Sequence, residues 1–369
     1  MTNTTANNSS GPDLCGSLSC IFTKGERDLI TVSLFSIAAI SLAGNIPILV
    51  VMLFSSRRRD SSNLSTLNLV VSDLFMTLFC IPFVTLDLYV FDAWVFGSFM
   101  CSLVTFVQNT AIQASLLNLL TITCEKFLAV RFPFHLRLRK KLVCHFMPVA
   151  WIIAMAESSF YLHFRKIKQF GEDTYYCMDD WPDTETYKNK LIVKSAMFFC
   201  PLLVIIVLHS ITMYTLHKGR NSFQVHRSER ESFKAALRKH RRHRKAVKIV
   251  LLTVISIIIC WGPFHMLSAI FLFDFALEFS MRSVNIGYTV CAWLLFSHCS
   301  VFPFIYFFFT QKGKETFEVC SLCLRTCRMA GDGSNPESLL LEGSNTHSGS
   351  FRRQSSWQRG STAPTETRL

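Results

Sequence analysis

The sequence predicts an all-α integral membrane protein in which seven helices cross the bilayer. Half of the 369 residues are hydrophobic and only 17% are charged, whereas soluble globular domains carry about 25% charged residues. Seven long apolar stretches follow one another, and their connectors are too short to give a buried helical core a polar shell. The low fraction of charged residues, the seven apolar stretches and the short connectors together exclude an ordinary soluble protein.

Each apolar stretch is long enough for a helix that spans a membrane. Such a helix needs about 20 residues, and it satisfies its own backbone hydrogen bonds in lipid. The stretches are Leu29–Phe54, Leu64–Val90, Cys101–Val130, Val143–Phe164, Leu191–Leu216, Ala246–Phe273 and Val284–Thr310. The predicted organisation is therefore a tail over 1–28, a membrane domain over 29–310, an amphipathic segment over 311–327 and a disordered polar tail over 328–369.

The net charge of +13 is distributed as membrane topology requires. With the N-terminus outside, the three inner connectors hold 20 Lys and Arg residues and the outer connectors hold six. Cytoplasmic loops carry such an excess. The sequence therefore predicts a plasma-membrane protein with an extracellular N-terminus and a cytoplasmic C-terminus. Because the charge lies in short blocks between apolar runs, nucleic acid is excluded as a partner.

The N-terminal tail contains three acceptor sequons for N-glycosylation, at Asn3, Asn7 and Asn8. Three sequons in a segment predicted to be extracellular indicate a glycoprotein. Cys15 and Cys20 could pair locally or stay free. The start of the chain is polar, so we expect the first span to act as the insertion signal instead of a cleaved leader.

The segment beyond the last span carries two predicted features. An amphipathic stretch over 314–319 precedes Cys320, Cys323 and Cys327, and a juxtamembrane cysteine in that position is a usual site of palmitoylation. The chain ends in Thr367-Arg368-Leu369, a pattern that PDZ scaffold proteins bind by strand addition. The alternatives are free cytosolic thiols and a tail without a partner.

Polar residues, prolines and tryptophans recur in a fixed order along the spans. They are Gly44-Asn45, Asp73, Trp94-x-Phe96-Gly97 ahead of Cys101, Trp151, Pro201, Cys260-Trp261-Gly262-Pro263 and Pro303-Phe304-Ile305-Tyr306. In this order and spacing they resemble the rhodopsin-like (class A) G-protein-coupled receptors, over roughly Leu29 to Cys327. The resemblance implies a receptor that binds an extracellular ligand and has heterotrimeric G proteins, arrestin and membrane lipid as partners.

The resemblance also implies roles for individual residues. Cys101 and Cys177 lie at the two positions of the family disulfide. Asp73, with Ser115 and His298 as neighbours, lies where the family binds a sodium ion, although a protonated Asp73 in a hydrogen-bond network is the alternative. No other cofactor is expected. Activation would use four residues of the sixth and seventh spans: Trp261, Pro263, Pro303 and Tyr306.

The cytoplasmic end of the third span departs from the family pattern. Glu125 is followed by Lys126, where the family has Arg, and Lys lacks the planar fork of five donors. Further departures are His209, Ile257, Phe302 and Gly313. We expect Glu125 and Lys126 to contact the G protein together with a basic helix face formed by Arg241, Lys245 and Lys248, whose spacings of four and three residues place them on one side.

The ligand is predicted to be a neuropeptide. Gln108 replaces the aspartate of amine receptors and Phe296 replaces the lysine of opsins. The expected binding residues are Gln108, Asn109, Asp179, Asp180, Trp261 and His265, and the acids of the second outer loop would attract a basic peptide. The alternative is that these acids only solvate the loop.

Two other classes of function are weighed against a peptide receptor. The spans show no Ser/His/Asp set, no HExxH and no selectivity-filter loop, so neither an enzyme nor a channel is indicated. The altered switch residues leave open an atypical orphan receptor, either constitutively active or non-signalling.

Overall fold

The structure is a computed structural model that describes residues 21–54, 61–132, 135–170, 174–223, 230–272, 280–310, 313–314 and 316–317. In this part of the chain, seven helices are long and apolar enough to cross a membrane, as predicted. We number them α1 (Lys24–Phe54), α2 (from Ser61 to Phe91), α3 (Gly97–Arg131), α4 (Leu136–Ser158, continued by Phe160–Phe164), α5 (Thr184–Phe223), α6 (Arg230–Leu272) and α7 (Met281–Phe309).

Several helices are longer than the apolar stretches that predicted them. α5 begins seven residues before the stretch at Leu191, and α6 begins sixteen residues before the stretch at Ala246. Hydropathy marks the part of a helix that is in contact with lipid, whereas the backbone hydrogen bonds continue through polar residues in water. The extra turns therefore carry charged residues, including Lys190 and Lys245.

α2 is interrupted by π-helical turns. It runs as α-helix over Ser61–Phe75 and then as π-helix over Met76–Cys80, α-helix over Ile81–Thr85 and π-helix over Leu86–Phe91. Pro82 lies at the start of the second α-helical piece and has no backbone N–H to donate to the preceding turn. Such bulges re-aim the side chains beyond them, and here they lead to a left-handed residue, Asp92, that ends the helix.

A glycine and a polar side chain of α1 make close contacts with α7. Gly44 approaches α7 so closely that a β-carbon on it would lie 2.5 Å from the Pro303 Cβ. One residue later, the buried Asn45 Nδ2 donates to the Cys299 carbonyl oxygen at 3.0 Å. Small residues at a helix crossing allow this separation in lipid, so the motif residues of the first and seventh spans contact each other directly.

A β-hairpin closes one end of the bundle, and the sequence analysis did not predict it. β1 (Arg165–Phe170) pairs antiparallel with β2 (Thr174–Asp179), so that Arg165 lies opposite Asp179. The predicted disulfide between Cys101 of α3 and Cys177 of β2 is present. We call this end of the bundle the hairpin end and the opposite end, which contains Lys126, the crevice end.

Several predictions fall on residues outside those described above. They concern the sequons at Asn3, Asn7 and Asn8, Cys15 and Cys20, the cysteines Cys320, Cys323 and Cys327, and the terminal Thr367-Arg368-Leu369. The chain divides into a unit that ends at Gly313 and a second unit over Lys314–Leu369. The amphipathic helix of the second unit stays a prediction.

Candidate functional site

The two acids expected to attract a ligand are held by cations of the neighbouring strand. Asp179 accepts from Arg165 at 2.8 Å, and Asp180 lies 3.0 Å from Lys166 and 2.9 Å from Lys168. The hydrogen bonds from Lys168 and Lys166 hold the pKa of Asp180 below its ordinary value. These carboxylates are therefore already compensated within the hairpin.

The floor of the predicted pocket is aromatic and buried. The ring of His265 stacks on that of Phe198, with 3.8 Å between the ring centroids. Trp261 is 3% exposed, and its ring centroid lies 4.9 Å from that of His298. Among the described residues, neither Trp261 Nε1 nor His265 Nδ1 has a hydrogen-bond partner. Both atoms could therefore serve a ligand or water.

The two predicted binding residues of α3 have different surroundings. Asn109 Nδ2 donates to the Thr105 carbonyl oxygen of its own helix at 2.8 Å, so part of its amide is occupied. Gln108 is partly buried and makes no hydrogen bond within the described part of the chain. Five residues further on, Gln113 Nε2 donates to the Met197 carbonyl oxygen at 3.1 Å and joins α3 to α5.

A buried polar cluster lies beneath the aromatic floor. Asp73 is 3% exposed, and its Oδ1 lies 3.7 Å from His298 Nδ1. Its other oxygen, Oδ2, has no partner in the described residues, and neither has the amide of Asn118. Ser115 lies three residues before Asn118 on α3 and is also buried. Because His298 contacts both Trp261 and Asp73, the pocket floor and the polar cluster form one continuous set of contacts.

A crevice of about 110 Å³ opens at the other end of the bundle. Its lining includes Lys126 of α3, Ile249 and Val250 of α6, and Phe302 and Tyr306 of α7. The ammonium of Lys126 pairs with Glu125 of its own helix at 2.5 Å. The departures Lys126 and Phe302 therefore face the same space.

The predicted basic face of α6 is present but does not line this crevice. Arg241, Lys245 and Lys248 are all exposed. The crevice is lined instead by Ala246, Ile249, Val250 and Thr253. At about 100° of helix rotation per residue, the basic face is turned roughly a third of a turn away from the crevice. The two faces can therefore contact different parts of a partner.

Comparison with known proteins assigns the family. The family model described as "7 transmembrane receptor (rhodopsin family)" matches residues 44–306, which is more than half of the chain. The chain belongs to the rhodopsin family of seven-transmembrane receptors. Members of this family are receptors, so the protein is not an enzyme, and its seven spans make it a multi-pass protein of the plasma membrane.

Several relatives are receptors named for peptides. Neuropeptide FF receptor 2 of Rattus norvegicus is 26% identical over 300 residues, which are 78% of this chain and 70% of that protein. The pyroglutamylated RF-amide peptide receptor of Rattus norvegicus is 26% identical over 76% of this chain and 67% of its own length. Galanin receptor 2b of Danio rerio is 26% identical over 80% of this chain and 75% of its own length.

The structure also places charged residues in the spans that the sequence analysis did not single out. Glu157 lies inside the fourth apolar stretch and Lys194 inside the fifth, while Asp87 lies near the end of the second. Ionisable residues at such positions indicate functional sites. That rule, applied to each stretch, would have found all three.

Proposed function

We propose that this protein is a receptor for an extracellular peptide and that peptide binding makes it activate heterotrimeric G proteins. The observation that carries the proposal is the alignment of peptide-named receptors along about three quarters of the chain. The pocket supports it, because α3 offers the neutral Gln108 where an amine ligand would need a carboxylate. The expected contacts are Gln108, Asn109, Trp261 and His265.

In this proposal the hairpin end is extracellular and the crevice end is cytoplasmic. The disulfide between Cys101 and Cys177 supports this orientation, since disulfides persist in oxidising surroundings. The excess of Lys and Arg in the alternate connectors supports it independently. The peptide would then enter between the helix ends around the hairpin.

We further propose that the peptide carries a basic group. Asp179 and Asp180 are ion-paired, so their contribution would be to the field at the pocket mouth more than to a direct contact. Asp87 of α2 is a better direct partner. It is partly buried and makes no ion pair within the described residues, and the charges that act on its carboxylate are those of Arg165 and Asp92.

A peptide screen tests the proposed function. Cells that express the chain would be exposed to a library of synthetic peptides, with calcium and cyclic-nucleotide readouts. A peptide that signals only in expressing cells, and loses potency on Gln108→Ala, supports the proposal. Activation by amines or lipids but by no peptide would contradict it. Reversal of both Asp179 and Asp180 should weaken a basic agonist less than Asp87→Asn, because these two acids are already paired.

A ligand-independent receptor is a second candidate. It is favoured by Lys126, which within the described residues forms its ion pair with Glu125 of its own helix and none with another helix. We predict that Lys126→Arg raises the basal signal or leaves it unchanged, because Arg keeps the charge and restores the five-donor fork. Basal cyclic-nucleotide and calcium levels at matched surface expression measure this. Lys166→Arg, the same change at the hairpin end, is the control. A loss of signal in Lys126→Arg alone would show that Lys has a required role.

We also propose that the Asp73 cluster binds a sodium ion. The buried Oδ2 of Asp73 without a partner fits a cation, and Ser115 would add a hydroxyl oxygen. His298 offers the alternative, a shared proton. We predict that sodium chloride raises the melting temperature of the purified receptor relative to choline chloride, and that Asp73→Asn removes the difference. An equal response in both proteins would contradict sodium binding at Asp73.

Four further proposals rest on the sequence. Two concern partners: arrestin, and a PDZ scaffold that binds Thr367-Arg368-Leu369. The other two are palmitoylation and glycosylation.

A further inference from the structure

Two lysines lie one helical turn apart on α5, near the hairpin end, and they have different partners. Lys190 Nζ lies 2.5 Å from Glu157 Oε1 and donates to the Glu157 carbonyl oxygen at 2.7 Å. Lys194 Nζ donates to the Tyr161 hydroxyl at 3.4 Å. The first lysine has a carboxylate inside the protein, and the second has a neutral hydroxyl.

The remaining contacts of Lys194 are aromatic faces. Its Nζ lies 5.8 Å from the ring centroid of Tyr161 on α4 and 5.2 Å from that of Phe264 on α6. An ammonium has three donors, and cation–π contacts stabilise it less than an ion pair with a carboxylate does when both are shielded from water. At least two N–H groups of Lys194 thus lack an acceptor among the described residues.

Four carboxylates of the hairpin end are already engaged. Glu157 is held by Lys190, and the acids of β2 and the following residue are held by cations of β1. Asp183 accepts from the backbone N–H and the hydroxyl of Thr186, which lowers its pKa. Within the described part of the chain, no carboxylate comes within ion-pair distance of Lys194.

Lys194 also faces the place where a ligand would lie. Phe264 immediately precedes His265, and its ring contacts that of Tyr288 on α7, with 6.5 Å between the centroids. Lys194 therefore reaches from α5 towards the aromatic residues that surround the pocket. The residue is partly buried and lies inside the fifth membrane span. A charge in such a place calls for a counter-ion.

We propose that Lys194 binds a carboxylate of the ligand, with Tyr161 and Phe264 as the aromatic walls of that subsite. This inference rests on the proposed peptide receptor and specifies one group of its ligand: an acidic side chain or a free C-terminal carboxylate. The anion completes the coordination of the ammonium, and the basic group of the same peptide lies towards Asp87. The proposed ligand therefore carries both a carboxylate and a basic group.

The first test uses two small probes of equal shape, 2-naphthoate and 2-naphthamide, on the purified full-length receptor. Millimolar naphthoate should raise the melting temperature of the wild type, and the amide should not. Lys194→Gln should require about tenfold or more naphthoate for the same shift, as the loss of one charge-assisted hydrogen bond predicts. Lys168→Gln is the matched control, because it removes one lysine at the same end while Asp180 keeps Lys166. This control should respond as the wild type does.

Two results would overturn the inference. The first is an equal melting-temperature shift with naphthoate and naphthamide, including no shift with either. The second is a naphthoate shift that Lys194→Gln leaves unchanged. Lys194→Arg, which retains a cation, separates charge from folding and should keep most of the naphthoate response.

The second test uses peptides in matched pairs, Asp against Asn and free against amidated C-terminus, in the signalling assay. In Lys194→Gln, one of the two acidic peptides, the one with Asp or the one with a free C-terminus, should lose potency by about tenfold or more. The peptide that loses potency identifies the source of the carboxylate. If naphthoate binding depends on Lys194 while no peptide signals, the anion subsite stands and the proposed function fails. If peptides signal equally on wild type and Lys194→Gln, the subsite fails and the proposed function stands.

Discussion

Gly44→Ala is expected to destabilise the receptor severely, because the added methyl group has no room. A β-carbon at this position would lie 2.5 Å from Pro303 Cβ and 2.8 Å from Pro303 Cγ. The proline ring cannot rotate away, so α1 and α7 must separate and the hydrogen bond from Asn45 to Cys299 must lengthen. We expect a cost of about 3 kcal/mol, at the upper end of the range for overpacked sites.

The melting temperature of the purified receptor and the fraction that reaches the cell surface measure this effect. Gly262→Ala is the matched control, since a β-carbon there meets nothing within 4 Å and alanine favours the helix. Pro303→Gly should partly restore Gly44→Ala, because glycine has neither the Cβ nor the Cγ atom that clashes. If Gly44→Ala is as stable as Gly262→Ala, the close contact between α1 and α7 is wrong.

This contact illustrates what the sequence could and could not predict. Hydropathy depends on local composition, so it located all seven spans. The sequence also singled out Gly44 and Pro303, but only as motif residues. Their contact joins residues that are far apart in the chain. Local patterns do not report the distance between two helices, so the steric role of Gly44 required coordinates.

The hairpin shows a different limit. The acids Asp179 and Asp180 were predicted as ligand contacts from their loop position and charge. The register of β1 and β2 places Arg165 directly opposite Asp179 and therefore neutralises it. The residues of β2, Thr174–Asp179, include two tyrosines next to a cysteine, a composition typical of strands. A strand prediction there would have pointed to cations of a neighbouring strand as partners of these acids. Their contact with a ligand stays a prediction.

Glu157 and Lys190 were missed because each was assigned to another category. Lys190 was counted among the connector charges that set topology, and Glu157 was read as part of an apolar stretch. In the structure their side chains are only 9% and 7% exposed and lie 2.5 Å apart. Lys190 also contacts the rings of Phe160 and Tyr161, at 4.8 Å and 5.3 Å from the centroids. The pair therefore joins α4 to α5 through a buried ionic contact.

Removing one member of this pair should cost far more than removing both. Glu157→Leu leaves the Lys190 ammonium buried without its counter-ion, and Lys190→Met leaves the Glu157 carboxylate in the same state. Each single change should destabilise the receptor by about 3–5 kcal/mol, whereas replacement of a whole buried pair by apolar residues is often neutral. The double variant should therefore regain most of the stability that either single variant loses.

Thermal unfolding is measured for the wild type, the two single variants and the double variant. Their four stabilities give the interaction free energy between Glu157 and Lys190 directly. Lys166→Met is the control for the loss of an exposed cation. Asp180 keeps Lys168 at 2.9 Å, so this change should cost less than about 1 kcal/mol. The buried pair would be refuted by single variants as stable as Lys166→Met, or by a double variant that loses the sum of both single losses. Additive losses would mean that Glu157 and Lys190 act independently, each in contact with water.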